Sequence, residues 1–587
     1  MTETHICLVH GAPGCGKTHT LLDAVEDHAA NDDIGMFDVY LANFTNNGRE
    51  ATADDLIERG VFDLSQYPDE IGEDDLRSRC RTLHSIALQC CPEVENPQEQ
   101  VITMDEEPTF YEEFCREHGL AFEAKKTNPL ELIRSGREST PRGNKLFALD
   151  QWLHAQYLPS ADRLAKVTKA PVEIELANSR IRELLQAWNE YKCERMSRRF
   201  EHHDYVDICL ENGYVPDVRF LGIDEFQDLS PVEYALFKLW RDSGQLDWIY
   251  IAGDVNQSIY SFRCASPFYL ARTDVDERRY LTDSYRCPEA VSAVARGILE
   301  AEDSITRNIF RTAQRSHGHT PEGVARMRTA TDDEGMAQAV REALDAHENP
   351  DDDEKATVYL LTRTNYQLGV LSNALQRHGV PFDAIGDKMD PWPEKVVDCL
   401  IALRALRRGT PAPQGPVDTL LDVATNSDLR KERFEGADID RQFRVDLESD
   451  AVYFPKRVEA AFPGRSARTI VDVLDLTDYQ QDMLRGALES DASPYPERIQ
   501  VGTIHEAKGL QAPCVFLFTE TTQNIMDRYR SGDTRAEEHR IYYVGATRAS
   551  ESLHVVDGFF DGPRIPIFAD GLPGHATETN TEQEAAD

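Results

Sequence analysis

The stretch from Ile6 to His28 admits few folds. An apolar run, Ile6-Cys7-Leu8-Val9, leads into Gly11-Ala12-Pro13-Gly14-Cys15-Gly16-Lys17-Thr18, and a helix-forming stretch follows from His19 to His28. Strand, glycine-rich loop and helix in that order are the context a phosphate-binding loop requires. The glycines let backbone N–H groups turn toward phosphate oxygens, Lys17 reaches the outer phosphates, and the Thr18 hydroxyl is suited to complete a Mg2+ shell. A nucleoside triphosphate is the expected ligand. The loop alone does not say what its hydrolysis drives.

The rest of the chain extends this start into two α/β cores. Strands are predicted at 6–9 and 37–42 and helices at about 17–29 and 47–60, with Thr82-Leu83 at a further strand-to-loop junction. Residues 85–214 turn polar and helical, with amphipathic stretches at 108–118, 146–160 and 173–199. Phe220-Leu221-Gly222-Ile223 and Trp248-Ile249-Tyr250-Ile251-Ala252 then return as buried strands ending in acidic or glycine residues. Apolar strands with ligand groups at their carboxyl ends mark a parallel, doubly wound sheet. A second set follows 278, with strand candidates at 357–361, 499–503, 514–518 and 553–556. The expected organisation is a first motor domain at 1–84 and 215–277 interrupted by a helical insert at 85–214. A second is expected at 278–400 and 495–560, interrupted at 401–494, with an acidic, fraying tail at 561–587.

Charge narrows the setting. The chain has 104 acidic against 63 basic residues, and Arg outnumbers Lys by 49 to 14. One reading is an acidic protein that avoids polyanions. The other is adaptation to molar salt, as in haloarchaeal proteins or those of their viruses, where carboxylates keep the surface hydrated and self-repulsion is screened. The even spread of acidic residues, with runs such as Asp351-Asp352-Asp353-Glu354, favours the second reading and leaves nucleic acid open as a partner. Twelve scattered cysteines with no CxxC pair point to a reducing cytoplasm, and no apolar run reaches membrane-span length. With the amino terminus taken up by strand and loop, a signal peptide is not expected.

Two further segments carry chemistry. Gly222-Ile223-Asp224-Glu225-Phe226-Gln227-Asp228 ends a strand, so Asp224 is placed to hold Mg2+ and Glu225 to orient and deprotonate the attacking water. Gly253-Asp254-Val255-Asn256-Gln257-Ser258-Ile259-Tyr260-Ser261-Phe262-Arg263 follows the next strand. There Gln257 can sense the terminal phosphate, and Tyr260 and Phe262 either stack on bases or fill the core.

Together these segments resemble the UvrD/Rep/PcrA family of superfamily 1 DNA helicases. Phe44-Thr45-Asn46 resembles its motif Ia, Thr82-Leu83-His84-Ser85 motif Ib, and Leu281 to Arg286 motif IV. Val501 to Leu510 resembles motif V and Tyr542 to Ala549 motif VI. The resemblance implies two RecA-like motor domains, ATP and Mg2+ as cofactors, and 3′-to-5′ movement on single-stranded DNA with duplex unwinding, in DNA repair or replication. It implies that Tyr285 stacks on adenine and that Arg286 and Arg548 contact the terminal phosphate. It further implies that Phe44, Asn46, His84, Tyr260, Phe262, Arg263 and His505 line the strand path, although His84 and His505 also suit plain hydrogen-bonding roles. Repair or replication proteins are the implied partners of a monomeric chain.

Three departures stand out. The family usually reads adenine with a Gln upstream of the loop; ten residues precede Gly11 here and none is Gln, so adenine selection is expected to rest on Tyr285. Gln511 replaces the usual acidic residue after motif V and keeps a ribose hydrogen bond without charge assistance. Asn47 replaces a usual Lys. The insert at 401–494 is shorter than the family's accessory domain, which leaves open a DNA-stimulated ATPase that remodels protein–DNA or branched intermediates and unwinds little alone. With so short a stretch after motif VI in the sequence, a fused nuclease is not expected.

Overall fold

A computed structural model describes residues 4–124, 140–301, 315–316 and 323–574, apart from 32, 45, 69–70, 158–165, 170–171, 195–197, 330–331, 348–357, 387–391, 425–451, 454–461, 463, 490–497 and 533. The chain divides between Tyr285 and Arg286 into two compact units. Each is an α/β unit built on a six-stranded parallel sheet, the RecA-like architecture expected from the sequence.

In the first unit, β1 (His5–Gly11), β2 (Val39–Ala42), β3 (Cys80–Arg81), β4 (Phe220–Ile223), β5 (Trp248–Gly253) and β6 (Glu277–Leu281) lie in the order β3-β2-β4-β5-β1-β6. Their alternating side chains sort onto two faces, as the period of two dictates. Ile6, Leu8, Leu221, Ile223, Ile249 and Ile251 face one apolar cluster, while Cys7, Val9, Phe220, Tyr250 and Ala252 face the other. Helices Lys17–Ala30 and Asn46–Glu58 cover the second face, and Leu83–Cys90, His202–Asn212 and Pro231–Asp242 cover the first. The strand predicted at 37–42 begins only at Val39, because Met36–Asp38 forms a 3-10 turn in which the Asp38 carboxylate caps the Gly35 N–H.

In the second unit, β7 (Val324–Thr329), β8 (Val358–Thr362), β9 (Asp383–Ala384), β10 (Ile499–Thr503), β11 (Ala512–Phe518) and β12 (Ala549–Asp557) lie in the order β9-β10-β8-β11-β12-β7. Every pair is parallel.

Four sequence boundaries move. The first motor domain does not end at 277, because β6 runs in register against β1, with Cys7 opposite Glu277 and Gly11 opposite Leu281. The insert expected at 85–214 is narrower. Helices Leu83–Cys90 and His202–Asn212 bury Ile86, Ala87, Tyr205, Val206 and Cys209 in the sheet's own core, and the separate insert core runs from Ile102 to Trp188. The described helices of the 401–494 stretch have no core of their own. Leu420, Ile470, Met483 and Leu484 join the same cluster as Val358, Leu360 and Phe516. Finally, the tail is packed as far as 574. Ile565 and Phe568 are fully buried, Phe568 lies against Tyr542 with ring centroids 5.5 Å apart, and a Cβ on Gly297 would meet the Gly574 nitrogen at 2.3 Å. Strand pairing decides the first of these cases and apolar faces the other three, where polar composition suggests loops or inserts.

Candidate functional site

The phosphate loop joins β1 to the helix Lys17–Ala30. Gly14 and Gly16 adopt φ of 72° and 81°, left-handed values that only glycine takes without cost. Gly16 is also the residue at the helix N-cap and offers no side chain there, so the first-turn N–H groups are left for an anion. Gly11 is needed for closeness: a Cβ there would stand 2.9 Å from the Leu281 Cβ of β6. Ala12, Pro13 and Cys15 complete the turn, with the Cys15 N–H donating to the Ala12 carbonyl at 3.3 Å. The ammonium of Lys17 donates to that same carbonyl at 3.3 Å and is mostly buried.

Tyr285 is tied directly to this loop. Its N–H donates to the Gly14 carbonyl at 2.8 Å, and the neighbouring Ser284 hydroxyl donates to the Pro13 carbonyl at 2.9 Å. The Tyr285 ring is 63% exposed. An aromatic face anchored to the loop yet open to solvent suits a nucleobase.

Asp224 and Glu225 follow β4 directly. The Thr18 hydroxyl donates to Asp224 Oδ2 at 2.5 Å, and the Glu225 N–H donates to Asp224 Oδ1 at 2.8 Å. Burial is the largest influence raising the Asp224 carboxyl above its usual range; the Glu225 charge adds to it, and Thr18 and Lys17 oppose both. The half-buried hydroxyl of Thr18 and the buried carboxyl of Asp224, side by side, are oxygen donors that fit Mg2+, which takes one or two carboxylates together with substrate phosphates. Glu225 itself has φ 53°, a left-handed setting that is unusual for a non-glycine residue and characteristic of functional turns.

Two residues given no role from the sequence connect this acid to the phosphate sensor. Gln227, fully buried, donates its amide to Glu225 Oε2 and to Asp228 Oδ2, and its carbonyl oxygen accepts the Asp254 N–H at 3.0 Å. Asp254, also fully buried, accepts from Gln257 Nε2 at 3.2 Å and from the Asn256 N–H at 2.9 Å. A continuous line thus runs Glu225–Gln227–Asp254–Gln257. Gly253 makes room for it, because a Cβ there would stand 2.3 Å from Gln227 Oε1.

Beside this line is an aromatic platform. Phe44 stacks on Tyr260 with centroids 5.2 Å apart and planes inclined by 24°, and Phe262 meets Tyr260 edge-on at 5.9 Å. The Arg263 guanidinium stands 5.6 Å from the Phe44 centroid and 5.8 Å from that of Tyr260. Tyr260 is buried and supports the platform from behind, while Phe44, Phe262 and Arg263 are half-buried. Asn46 begins the helix Asn46–Glu58, and its side chain lies outside the described residues.

His84 reaches Glu233 Oε1 at 3.4 Å. Burial pushes the Glu233 carboxyl up, but His84 and Ser230 outweigh it and hold it below its usual range. Since Glu233 also caps the helix Pro231–Asp242 by accepting the Ser230 N–H at 2.8 Å, His84 is oriented by a structural carboxylate. A cavity of about 630 Å³ opens here, lined among others by Phe44, His84, Asp224, Glu233 and Arg263.

Within the second unit, Arg548 is 1% exposed and donates to the carbonyls of Val544 at 2.9 Å and Leu510 at 3.1 Å. Arg286 is half-buried, and the charges of Arg548 and Arg286 both act on the Tyr359 phenol against the burial that raises it. Both arginines are therefore within electrostatic reach of Tyr359 in β8. Gln511 is exposed immediately before β11. His505 is only 6% exposed in the turn after β10, where Thr503 donates its N–H and hydroxyl to Glu506, each at 2.8 Å. That burial differs from the strand-lining position expected of it.

These arrangements match a known family. Residues 1–276 match the UvrD/REP helicase N-terminal domain and residues 456–557 the UvrD-like helicase C-terminal domain, together more than half of the chain. The chain belongs to the UvrD/Rep helicase family. It is 25% identical over 369 residues to the ATP-dependent DNA helicase UvrD2 of Mycobacterium tuberculosis, covering 59% of this chain and 48% of that protein. With UvrD1 of the same organism it shares 25% over 435 residues, covering 57% and 54%. With DNA helicase II of Haemophilus influenzae it shares 22% over 435 residues, covering 62% and 58%. The chain thus spans about half the length of these UvrD/Rep relatives.

Proposed function

We propose that this UvrD/Rep family member is an ATP-dependent DNA helicase that moves 3′ to 5′ on single-stranded DNA and separates duplex ahead of it. The observation that carries this reading is the line Glu225–Gln227–Asp254–Gln257, which starts at the residue after Asp224, the partner of Thr18, and ends in the segment that carries Tyr260 and Arg263 of the platform. It supplies a physical route by which the state of a terminal phosphate alters grip on a strand.

In this reading the phosphate-loop N–H groups and Lys17 bind the triphosphate of ATP, and Tyr285 stacks on the base. Thr18 and Asp224 hold Mg2+, which when bound neutralises charge on the phosphate oxygens. Glu225 orients the attacking water and takes its proton, with Gln227 fixing the carboxylate. Gln257 reads the terminal phosphate. Arg286 and Arg548 are assigned to the charge that develops on the transferred phosphoryl, which requires Arg548 to exchange at least one of its carbonyl partners. Phe44, Asn46, His84, Phe262 and Arg263, with Tyr260 behind them, take the strand, and single-strand/duplex junctions are the substrate. Gln511 takes a ribose hydroxyl. The setting is the reducing cytoplasm of a salt-adapted host or its virus, in repair or replication, with the chain acting as a monomer. Twelve free thiols and a net charge of −41 support that setting.

One observation favours a second reading, a DNA-stimulated remodelling ATPase with little unwinding of its own. The described helices of the 401–494 stretch join the second sheet's core and form no separate body.

Strand displacement in molar KCl on duplexes with 3′ or 5′ tails, with ATP or GTP, tests both. Unwinding from 3′ tails with ATP is expected. Unwinding only from 5′ tails overturns the polarity, and DNA-stimulated hydrolysis without displacement selects the remodeller. Glu225→Gln is expected to abolish hydrolysis while retaining ATP binding.

A further inference from the structure

The helical insert and the helix that returns the chain to the first sheet meet at a buried cluster of imidazoles and carboxylates remote in sequence from the nucleotide motifs. Asp150 and His154 stand one turn apart on the helix Arg142–Ala155, and His203 lies in the first turn of His202–Asn212. One donor atom from each of the three lies within 4.8 Å of the other two. His203 Nε2 is 3.4 Å from Asp150 Oδ2, His154 Nε2 is 3.6 Å from Asp150 Oδ1, and the two imidazole rings stack with centroids 4.0 Å apart.

Two of these atoms face each other at 3.4 Å, and His203 Nε2 also lies 3.4 Å from Glu201 Oε2 and 3.6 Å from Asp204 Oδ1. Asp150 Oδ2 and His203 Nε2 are buried and make no hydrogen bond, in residues only 4% and 9% exposed. Leaving such atoms unsatisfied is costly, so a buried pair of them aimed at one point calls for an occupant. Their spacing suits a zinc-class cation. Zinc bonds of about 2.0–2.1 Å in a tetrahedron put donor atoms about 3.3–3.4 Å apart.

The surroundings are those of a ligand set. His154 Nδ1 lies 2.6 Å from Asp207 Oδ2, a carboxylate placed to fix the tautomer that turns Nε2 into the cluster. Glu201 forms a wall, with its oxygens engaged by the Tyr111 hydroxyl at 3.0 Å, Trp188 Nε1 at 2.9 Å and Lys192 Nζ at 2.9 Å. Lys192 also pairs with Asp204 at 2.7 Å. Asp150, Glu201 and Asp204 act on the Lys192 ammonium, Asp207 holds His154, and a divalent cation among these carboxylates is favoured by their charge. Two imidazoles and a carboxylate with no thiolate select a zinc-class cation over Mg2+ or Ca2+. His203 and Glu201 also line the cavity below His84, which supplies a path of access.

We propose that Asp150, His154 and His203 bind a zinc-class divalent cation that staples the insert to the helix leading into β4. It ties the insert, through His202–Asn212, to the strand that carries Asp224 and Glu225.

The test uses the untagged full chain, stripped with a chelator and then titrated with Zn2+ or Co2+ alone. Excess Mg2+ is present throughout to fill oxygen-only sites. One Zn2+ per chain is expected, together with the visible ligand-field bands of low-symmetry, four-coordinate Co2+. Asp207→Asn is expected to weaken Zn2+ binding about 10- to 100-fold, and His203→Gln is expected to abolish the Co2+ bands. Absence of those bands in the wild-type chain overturns the proposal without reliance on any variant. So does Zn2+ binding that His203→Gln leaves unchanged, as does a cluster held only by protons on its imidazoles and retaining no metal.

Discussion

The side-chain oxygen of Gln227 accepts the backbone N–H of Asp254 at 3.0 Å, while the amide of the same side chain holds Glu225. One side chain therefore links the end of β4 to the end of β5, and the residue assigned as base cannot move without disturbing the strand end that carries Gln257. Replacing Gln227 with Leu removes both bonds and strands the buried Asp254 N–H. DNA-stimulated ATP turnover is expected to fall roughly 100-fold, the scale of a misplaced general base, with ATP affinity altered less than about threefold because the phosphate loop is untouched. Steady-state kinetics with fluorescent-nucleotide binding checks this; unchanged kcat would dissociate Gln227 from the base.

Gly253 tests the same link from the backbone side. A Cβ there meets Gln227 Oε1 at 2.3 Å and Leu270 Cδ2 at 3.0 Å, so Gly253→Ala must displace the carboxamide. Overpacking of this kind costs about 1–3 kcal/mol. Gly222→Ala is the control, since its Cβ crowds Leu41 Cδ2 at 2.6 Å and leaves the Gln227 bonds in place. Both are expected to lower the melting temperature, and only Gly253→Ala to lower kcat by tenfold or more. Equal loss of turnover in the two variants would show that sheet packing, not the link, is at stake.

How much of this was legible in the sequence depends on range. Gly14, Gly16, Lys17, Thr18 and Asp224 are readable because each acts within a few residues of a strand end, and the Thr18–Asp224 pair at 2.5 Å forms because β1 and β4, parallel and separated by β5, feed the same edge of the sheet. Gln227 and Asp254 were visible inside the motifs, but their role depends on β4 and β5 being neighbours, which no local pattern states. Tyr260 was ambiguous between base stacking and core, and resolves as support because Phe44, from a distant turn, covers its face. The polar helices at 401–494 suggested a separate insert, yet their apolar stripes are completed only by the second sheet. The convergence of Asp150, His154 and His203 is not legible in the sequence, because it joins helices about fifty residues apart.

The platform formed by Phe44 and Arg263 separates stacking from charge. Phe44→Ala removes the half-buried ring and the surface beneath the guanidinium, and is expected to weaken single-stranded DNA binding by about 1–3 kcal/mol. Stacking releases few counterions, so the dependence of affinity on salt should barely change. Arg263→Gln is expected to reduce the log–log salt slope by about one for a single phosphate contact. Fluorescence anisotropy across a KCl series distinguishes them, and a slope change in Phe44→Ala would reassign that ring to positioning Arg263.

Glu520, at the carboxyl end of β11, predicts a stability change with pH. It is 2% exposed, and burial pushes its carboxyl from 4.5 up to about 7; the Gly558 N–H opposes the rise and the Asp557 charge adds to it. Because the folded value lies above the unfolded one, the folded chain holds this proton more tightly. The contribution is fully present below pH 4.5, declines as pH rises, and is gone above about 7. The gap corresponds to roughly 3 kcal/mol at most. Glu520→Gln is uncharged at every pH and keeps an oxygen to accept the Gly558 N–H. Its melting temperature should therefore match the wild type near pH 5 and exceed it at pH 8, as read by differential scanning calorimetry. An equal difference at both pH values would mean that the Glu520 carboxyl does not titrate between them.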